Sequence, residues 1–483
     1  MADEPAAPGA AGKPGAEPDR AGEHHGGAEP SRRFDFPESP LTAPATESER
    51  WLFGLTRFGM KPGLDTIRAL ATEFGEPQRG LRFIHVAGTN GKGSVCHLLE
   101  RQLRAAGFRT GLFTSPHLLH VGERLRVNGA PLDDAGVGAL VERVRPAVQA
   151  REATFFETIT LMGLLHFEAA GVDWVLWETG LGGRLDSTRV AEAEAALVTS
   201  ISLDHSRYLG SDLAGIAREK LAIGLPGRPL YSAITSPELR AVAREMAAST
   251  GFELVERDAA LAWRLDGAEL VISGGAGSAA AGPAAAALLG RYPLPGLPEV
   301  QAGNAALVLL ALADLGARRG ERLLPEDPGA ALLATALPAR FHRLPGSPLR
   351  VIDGGHNPEA LRLTLAAWLR LLAAEGLPAE KACVIFGCNA DKEVEPMLAL
   401  LAECPCRVIL TTARQPRALA PAALAERAGE AAARWEGAPG LAAALAAAGS
   451  APALVTGSFY LAAEAYWAGE AGNAGSGAGD LPF

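Results

Sequence analysis

A glycine-rich segment at residues 87–94 has the residue types needed to bind phosphate. It reads Ala-Gly-Thr-Asn-Gly-Lys-Gly-Ser and lies between an apolar run and an amphipathic stretch. Glycines let successive backbone N–H groups point inward, a helix start adds partial positive charge, and Lys92 would reach the β- and γ-phosphates. The segment departs from the common P-loop, because Val86 replaces its first glycine and Gly93 separates Lys92 from Ser94. The alternative is a glycine-rich turn with a solvated lysine.

Two further side chains suited to catalysis or metal binding follow other apolar runs. Glu178 ends one run and opens a glycine-rich turn, and His205 lies just beyond the next run. The carboxyl ends of parallel strands meet at one edge of a sheet, where α/β proteins bind their ligands. A carboxylate at this edge suits Mg²⁺, which bridges phosphate oxygens. The alternatives are a capping carboxylate for Glu178 and, for His205, a hydrogen-bonded histidine beside Asp204.

Short apolar runs alternate with amphipathic stretches along most of the chain, and they predict the elements that position these residues. Strands separated by helices indicate a parallel sheet covered on both faces. Helices are predicted at residues 94–106, from about residue 211, and around residue 52. The predicted strands are residues 81–87, 174–177, 196–201, 350–353, 382–386, 407–411 and 453–455.

Two sets of strands, separated near residues 337–348, predict two α/β domains. The expected fold class is α/β, with a P-loop-type, mostly parallel sheet in the N-terminal domain and a smaller Rossmann-like C-terminal domain. Residues 1–45 are mostly Ala, Gly, Pro and Glu without apolar periodicity, which predicts disorder. The stretch at 274–290 receives no assignment. The predicted divisions are an extension at 1–45, domains at 46–336 and 337–470, and a disordered tail at 471–483.

The amino-acid composition argues against several classes of protein. Of 483 residues, 48% are hydrophobic and 21% are charged, enough to bury a sizeable core. With 45 basic and 55 acidic residues the net charge is −10, which argues against nucleic-acid binding. No apolar run reaches the length of about 18 residues that a spanning helix needs, and Asp3 and Glu4 open an N-terminus without an apolar segment. Five cysteines without a CxxC pair argue against a zinc site. We therefore expect a cytoplasmic protein without membrane partners.

The phosphate-binding segment also carries a family resemblance. Gly-Thr-Asn-Gly-Lys-Gly-Ser resembles the nucleotide loop of the folylpolyglutamate synthases and bifunctional dihydrofolate synthases, which are relatives of the Mur ligases. The similarity spans roughly residues 50 to 465 of the chain. Further motifs similar to those of the family follow in order at residues 114–118, 123–129, 178–186, 203–205, 208–210, 219–220, 353–358, 386–387, 391–392 and 455–458.

The resemblance implies an ATP site with two Mg²⁺ ions and a modified lysine. It assigns one Mg²⁺ to Ser115 and Glu178 and a second to Glu178 and His205, and it allows for K⁺. It also implies that Lys220 is carbamylated, so that the added carboxylate holds or orients the second ion. A lowered lysine pKa would favour this modification, since the reaction with CO₂ requires the neutral amine. The alternative is that Lys220 is a solvent-exposed lysine within a run of charged residues.

The resemblance places nucleotide contacts in both domains. Arg340, Asp353 and His356 would face the nucleotide from the second domain, and Asn304 would contact the adenine. Arg340 would neutralise charge on the transferred phosphoryl group, and the alternative is an exposed arginine in a linker. A site shared by two domains makes their closure a requirement for turnover. The implied nucleotide-binding residues are Gly88, Thr89, Asn90, Gly91, Lys92, Gly93, Ser94, Asn304, Arg340, Asp353 and His356, and the implied catalytic residues are Lys92, Glu178, His205, Lys220, Arg340 and Asp353.

A Thr-Phe-Phe-Glu cluster at residues 154–157 resembles the dihydropteroate-binding segment of bifunctional bacterial enzymes. Its rings could stack on a flat pterin, and Glu157 could accept hydrogen bonds from pterin amino groups. The alternative is a helix start with two packed aromatic residues. The implied substrate-binding residues are Thr154, Phe155, Phe156, Glu157, Leu185, Asp186 and Ser187.

Together these features predict an ATP-dependent amide ligase that activates a carboxylate as an acyl phosphate and joins it to L-glutamate. The expected substrates are dihydropteroate, which would give dihydrofolate, and folates that carry a γ-carboxylate on their glutamate tail. Arg189 and Ala339 replace the family's usual Asn and Gly, which affects expected substrate preference more than chemistry. We expect a monomer. The alternatives are a folylpolyglutamate synthase alone, a Mur-type ligase acting on a UDP-sugar, and a nucleotide-binding regulator without catalysis.

Overall fold

The structure is a computed structural model that describes residues 46–55, 63–204, 210, 212–274 and 282–473. Its largest sheet is built from β1 (Phe83–Ala87), β2 (Thr110–Phe113), β3 (Leu125–Val127), β4 (Ala130–Pro131), β5 (Trp174–Glu178), β6 (Ala195–Val198), β7 (Pro229–Ser232) and β8 (Glu253–Glu256). These strands lie in the order β4-β3-β2-β5-β1-β6-β7-β8. The pairs β2–β3 and β3–β4 are antiparallel and the others are parallel.

Two smaller sheets follow along the chain. An antiparallel sheet, in the order β11-β10-β9, is formed by β9 (Ala262–Asp266), β10 (Glu269–Ser273) and β11 (Gly290–Pro293). The third sheet contains β12 (His342–Leu344), β13 (Arg350–Ile352), β14 (Cys383–Phe386), β15 (Arg407–Leu410), β16 (Glu436–Gly437) and β17 (Ala453–Thr456). It lies in the order β12-β13-β17-β14-β15-β16, and only its β12–β13 pair is antiparallel. These sheets confirm the predicted α/β class, with a large, mostly parallel N-terminal sheet and a smaller C-terminal one.

Helices connect and cover the sheets. The helices of the N-terminal part are α1 (Glu47–Gly54), α2 (Asp65–Glu73), α3 (Lys92–Ala105), α4 (Asp134–Ala150), α5 (Phe155–Ala170), α6 (Leu213–Leu221), α7 (Pro237–Thr250), α8 (Arg257–Ala260), α9 (Gly282–Ala286), α10 (Glu299–Arg319) and α11 (Pro328–Leu333). Those of the C-terminal part are α12 (Pro358–Ala374), α13 (Val394–Glu403), α14 (Pro421–Ala428), α15 (Leu441–Ala448) and α16 (Phe459–Asn473).

Side chains of the large sheet alternate between two buried faces. On β5, Trp174 and Leu176 pack into a core that includes α3 and α10. Val175 and Trp177 pack into a second core on the other face, which includes α4 and α5. Because successive side chains point to opposite faces and both faces are covered, the central strands read as continuous apolar runs. That is why the sequence pattern predicted them.

Helix α10 lies inside the core on one side of the sheet. Within the described ranges it is the one helix long and apolar enough to cross a membrane by length and composition, and 78% of its apolar window is buried inside the fold. Residues along it, from Ala302 to Leu315, pack with the first face of the large sheet and with the three-stranded sheet. Its apolar character is therefore accounted for by packing within this chain.

Apolar contacts also join the N-terminal and C-terminal parts. Leu118 and Leu119, in the loop after β2, form a buried cluster with Ala339 and two alanines of α16. Ala339 adopts a left-handed backbone conformation with φ +55°, which explains why glycine would be the usual residue there. Because Arg340 follows directly, this contact brings the arginine of the second part to the first.

The predicted strands are present, and so are the predicted helices at residues 94–106, from about residue 211 and around residue 52, which correspond to α3, α6 and α1. All seven predicted strands are present, with ends shifted by at most three residues. Ten further strands within the described residues, including the whole three-stranded sheet, were not predicted, and two of them, β2 and β7, are fully buried. Residues 1–45 lie outside the described residues, and of the predicted tail only 471–473 are described, within α16. In the unassigned stretch the structure describes α9 and the start of β11.

The Thr-Phe-Phe-Glu cluster starts helix α5. The Thr154 hydroxyl accepts a hydrogen bond from the Glu157 N–H at 3.2 Å, and the Glu157 carboxylate accepts one from the Thr154 N–H at 2.8 Å. This reciprocal capping box satisfies two N–H groups that the first turn would otherwise leave unpaired. The Phe155 ring stacks on Phe53 in the core, with centroids 6.0 Å apart. The helix start that was the alternative interpretation of this cluster is therefore present in the fold.

We predict that Thr154→Ala lowers the free energy of unfolding by about 1 kcal/mol, the usual cost of removing a capping hydroxyl. Thr154→Ser keeps the hydroxyl and should lose much less. Urea unfolding followed by circular dichroism measures both variants against the native chain. Equal losses in the two variants would contradict the capping role.

Candidate active site

The loop between β1 and α3 is held in a conformation that requires glycine. Gly88 and Gly91 have φ values of +148° and +89°, which residues with a side chain rarely adopt. A Cβ atom on Gly88 would also lie 1.8 Å from the hydroxyl oxygen of Thr199. The loop leads directly into α3 at Lys92, so the partial positive charge of a helix N-terminus lies at the loop. This is the geometry of an anion-binding loop.

Hydrogen bonds fix the loop to the segment that follows β6. The Thr89 N–H donates to the Ser200 carbonyl at 2.7 Å, and the Asn90 N–H donates to the Ser200 hydroxyl at 3.1 Å. The Thr199 hydroxyl donates to the Asn90 carbonyl at 2.7 Å, and the Thr89 hydroxyl donates to the Ser202 carbonyl at 3.1 Å. The residues that follow β6, the strand beside β1, therefore position the loop.

Two cationic side chains, Lys92 and Arg340, and the amine of Lys220 converge on this loop. Lys92 Nζ donates to the carbonyl oxygens of Gly88 at 3.0 Å and Thr89 at 3.2 Å, and Lys220 Nζ donates to the Gly88 carbonyl at 2.9 Å. The Arg340 guanidinium comes from the C-terminal part, and a Cβ atom on Gly93 would lie 2.1 Å from its Nη2. Predicted residues from both parts of the chain thus meet at one loop, whose concentrated positive charge suits a polyphosphate.

Lys220 is buried, and its surroundings disfavour the charged form. Burial, together with the positive charge of Lys92, lowers the pKa of Lys220 to about 7, although Asp204 and Asp186 oppose this. A substantial fraction of the amine is then neutral near neutral pH. The structure therefore excludes the alternative that Lys220 is a solvent-exposed lysine within a run of charged residues.

Glu178 and Ser115 are in direct contact at the end of β5. The Ser115 N–H donates to Glu178 Oε2 at 2.9 Å. Burial raises the pKa of the Glu178 carboxyl above its ordinary value, while Lys92 and Arg340 act in the opposite direction. A buried carboxylate beside an anion-binding loop is a hard oxygen donor of the kind that Mg²⁺ prefers.

The Glu178 carboxylate is a donor of the kind that the predicted divalent ion needs. Ser115 and Glu178 meet, whereas His205, the other predicted ligand, lies outside the described residues. Among the residues that the structure describes, no three or more His, Cys, Asp or Glu side chains are grouped to hold a metal. Asp204, which directly precedes His205, pairs with Lys392 at 2.9 Å and lies 3.4 Å from His356 Nε2.

Asp353 has its carboxylate turned into the C-terminal part. One oxygen accepts hydrogen bonds from the Gly355 N–H at 2.8 Å and the Thr364 hydroxyl at 2.9 Å, and the other accepts from the Phe341 N–H at 2.8 Å. Burial raises the pKa of Asp353 above its ordinary value, although these hydrogen bonds act to lower it. The carboxylate therefore holds the turn that presents Arg340, and a direct nucleotide contact by Asp353 stays a prediction.

Of the other predicted nucleotide contacts, Asn304 lies close to the loop. Asn304 is next to Gly91, where a Cβ atom would lie 3.1 Å from Asn304 Nδ2. Its amide donates to Gln301 Oε1 at 3.1 Å, and Gln301 donates to the Ser94 hydroxyl at 3.1 Å. On the C-terminal side, His356 Nδ1 is 2.9 Å from the Gly354 carbonyl oxygen.

The predicted substrate residues border the turn that follows Glu178. The Phe156 ring packs against this turn, since a Cβ atom on Gly180 would lie 2.5 Å from it. Asp186 accepts hydrogen bonds from the N–H groups of Leu181 at 2.8 Å and Thr188 at 3.0 Å, and burial raises its pKa. Leu185, by contrast, leaves 37% of its surface exposed. Ser187 is buried in the short 3₁₀ turn after Asp186. Phe155 packs in the core, and the Glu157 carboxylate accepts the capping hydrogen bond at the start of α5.

Sequence reasoning missed several polar residues that position the site. The hydroxyl groups at residues 199–202 anchor the loop, and the rule that functional groups follow parallel strands would have found them after β6. Asn357, Glu359 and Lys392 contact the N-terminal loops from the C-terminal part. The resemblance included Asn357 and Lys392 within motifs but assigned neither of them a role.

The chain is similar to proteins of known function. The family model described as Mur ligase, glutamate ligase domain, matches residues 339–459. The dihydrofolate synthase/folylpolyglutamate synthase of Bacillus subtilis is 33% identical over 373 residues, which cover 74% of this chain and 82% of that protein. The protein with the same name from Escherichia coli is 33% identical over 339 residues, covering 70% of this chain and 75% of that protein.

Solved structures show the same similarity. Escherichia coli FolC in complex with DHPP and ADP aligns with a TM-score of 0.72 at 28% identity, over 90% of this chain and 100% of the other. A bifunctional folylpolyglutamate synthase/dihydrofolate synthase with Mn, AMPPNP and L-glutamate bound aligns with a TM-score of 0.71 at 28% identity, over 88% and 99%. From its ordered motifs, its fold and these relatives, the chain belongs to the dihydrofolate synthase/folylpolyglutamate synthase family.

Proposed function

We propose that this protein is an ATP-dependent ligase that joins L-glutamate to dihydropteroate and to the γ-carboxylate of folates. The observation that carries this function is the convergence of Lys92 and Arg340 on a glycine loop beside the buried Glu178 carboxylate and the Lys220 amine. Such an arrangement suits phosphoryl transfer, which needs positioning and charge neutralisation more than covalent chemistry. The ligands in the related structures, which include ADP, DHPP and L-glutamate, support the same function.

The reaction has two steps that this site can promote. The substrate carboxylate attacks the γ-phosphorus of ATP, the bond to the bridging oxygen breaks, and ADP leaves an acyl phosphate behind. Lys92 and the N-terminus of α3 hold the phosphates, and Arg340 stabilises negative charge on the transferred group. The neutral α-amine of L-glutamate then attacks the acyl carbon. Phosphate departs and the amine loses a proton, which leaves the amide.

We further propose that two Mg²⁺ ions bind at this site, one at Ser115 and Glu178 and the other at Glu178 and His205, with K⁺ as an additional monovalent ion. Bound Mg²⁺ would offset the negative charge of the phosphates. The contact between the Ser115 backbone and the buried Glu178 carboxylate supports the first position. The related structure that contains Mn and AMPPNP supports a divalent ion with a nucleotide.

The proposed pterin pocket adjoins the turn after Glu178. Glu157 and Asp186 hold local backbone groups, so their main contribution is to shape the wall of the pocket. Phe156, packed on the turn, and Leu185, partly exposed, supply apolar surface for the flat ring. Thr154, Phe155 and Ser187 support this wall from behind.

The remaining proposals concern organisation. We propose domains at 46–336 and 337–470, in agreement with the start of the third sheet at His342 and with the family match at 339–459. We also propose that the protein acts as a monomer in the cytoplasm. The acidic net charge of −10 supports small-molecule substrates over nucleic acid as partners.

The experiment that tests the function uses purified protein, Mg-ATP and labelled L-glutamate, with dihydropteroate and tetrahydrofolate as parallel acceptors. We expect incorporation into both acceptors, with ADP formed in equal amount. Incorporation into tetrahydrofolate alone would restrict the protein to polyglutamylation, for which Arg189 beside the pocket offers a reason. ATP-dependent incorporation into neither acceptor would refute the ligase.

We predict that Gly93→Ala lowers kcat at least about tenfold without unfolding the protein, because the new methyl group would displace the Arg340 guanidinium from the loop. Gly138→Ala is the matched control, since a Cβ atom on this helical glycine would meet the Ser48 hydroxyl oxygen at 3.6 Å, an ordinary van der Waals contact. Steady-state kinetics and thermal unfolding of both variants provide the measurement. A Gly93→Ala variant with native kcat would contradict the role of Arg340.

We predict that Lys220 is carbamylated in a pH-dependent manner. Its neutral amine adds to CO₂ and loses a proton to form a carbamate, and a pKa of about 7 leaves enough neutral amine for this at pH 8. As the pH falls below 7 the amine is protonated, so carbamate and activity should both decline. Protein equilibrated with ¹³C-bicarbonate should show a carbamate signal in NMR spectra that Lys220→Arg removes and that Lys381→Arg, at an exposed lysine, retains. The absence of this signal at pH 8 would overturn the modification.

A further inference from the structure

One segment of the C-terminal part, residues 356–359, contacts the phosphate loop through Asn90. Asn90 Nδ2 donates to Glu359 Oε2 at 2.8 Å and lies 3.3 Å from Asn357 Oδ1. Asn357 Nδ2 donates in return to Asn90 Oδ1 at 2.8 Å. The two asparagine amides thus pair with each other, and Glu359 adds a charged acceptor. The Asn90 side chain is therefore engaged by the C-terminal part.

Both sides of this contact are fixed by other bonds. On the loop side, the Asn90 N–H and carbonyl are bonded to the hydroxyl groups of Ser200 and Thr199. On the other side, Asn357 is 2% exposed and caps α12, because its Oδ1 accepts from the Ala360 N–H at 2.9 Å. Because both sides of the contact are held in place, a change in the docking of α12 should change the conformation of the phosphate loop.

A second contact of the same segment reaches Asp204, in the loop that follows β6. His356 Nε2 lies 3.4 Å from Asp204, which also pairs with Lys392 at 2.9 Å. Both side chains of the Asp204–Lys392 pair are nearly buried, at 10% and 11% exposure. A charge pair that is shielded from solvent is screened less by salt than an exposed one. The C-terminal part therefore holds both N-terminal loops at the candidate site.

We propose that Asn90 is a positioning residue that couples docking of the C-terminal domain to the shape of the phosphate loop. In this role Asn90 transmits the position of α12 to the loop instead of binding phosphate through its side chain. The proposal rests on the proposed function in one respect, namely that the loop binds ATP. It predicts that breaking the Asn90–Glu359 bond impairs turnover more than it impairs nucleotide binding.

The first test compares three variants at this interface. Glu359→Ala removes the acceptor, Glu359→Gln keeps an oxygen for Asn90, and Arg370→Ala removes an exposed contact between α12 and Glu299 as a matched control. We expect Glu359→Ala to lower kcat about tenfold, the usual effect of losing a charged hydrogen bond, with the Kd for ADP changed less than about twofold. Glu359→Gln and Arg370→Ala should stay close to the native protein.

Hydrogen exchange gives a readout that does not depend on catalysis. In Glu359→Ala the amides of residues 88–94 should exchange faster, with no such change in Arg370→Ala. Faster loop exchange in a protein that forms no amide product would support the coupling while refuting the ligase. Unchanged loop exchange in a protein that forms the product would refute the coupling and leave the ligase standing.

A charge swap tests whether Asn90 acts through Glu359. Asn90→Asp places a carboxylate against that of Glu359, and their repulsion should lower kcat and accelerate loop exchange. Combining it with Glu359→Gln lets the new amide donate to Asp, so both properties should recover in part. If the single and double variants are equally impaired, then the Asn90 side chain acts on the phosphates directly and the proposal is wrong.

Discussion

The parallel pairing of β1 with β5 on one side and β6 on the other is the constraint on which the candidate site depends. In this register Val86 lies beside Glu178 and Ala87 beside Val198. Three strands therefore deliver the phosphate loop, the buried carboxylate and the hydroxyl groups at 199–202 to one edge of the sheet. These groups are distant in sequence, and only the sheet makes them neighbours.

Burial at this edge controls the charge states of the groups that meet there. It lowers the pKa of Lys220 to about 7 and raises that of Glu178. Lys92 reinforces the effect on Lys220 and, together with Arg340, opposes the effect on Glu178. The site thus combines positive charge with a buried carboxylate and an amine that is easily made neutral. Each of these properties follows from removing the groups from water while placing other charges close to them.

The C-terminal part completes the site through a few well-supported contacts. One carboxylate oxygen of Asp353 accepts a hydrogen bond from the Phe341 N–H, directly after Arg340, while the other bonds Gly355 and Thr364. The neighbouring segment 356–359 holds Asn90 and Asp204. Apolar packing of Leu118 and Leu119 against α16 supports the same arrangement from outside the polar region. The contacts that hold the second part against the first therefore also position residues of the candidate site.

Sequence by itself determined the buried strands, the glycine loop and the set of residues with catalytic potential. Local sequence patterns indicate those features, because buried parallel strands must be apolar and a tight phosphate loop must contain glycine. The pattern did not reveal the shorter strands, among them the buried β2 and β7, nor that Glu157 and Asp353 bond to nearby backbone groups. The tertiary structure alone decided which side chains face one another, and with that the pKa of Lys220 and the partners of Asn90. The physical reason is that hydrogen bonds, desolvation and Coulomb interactions depend on distance in space, which residue type and spacing do not specify.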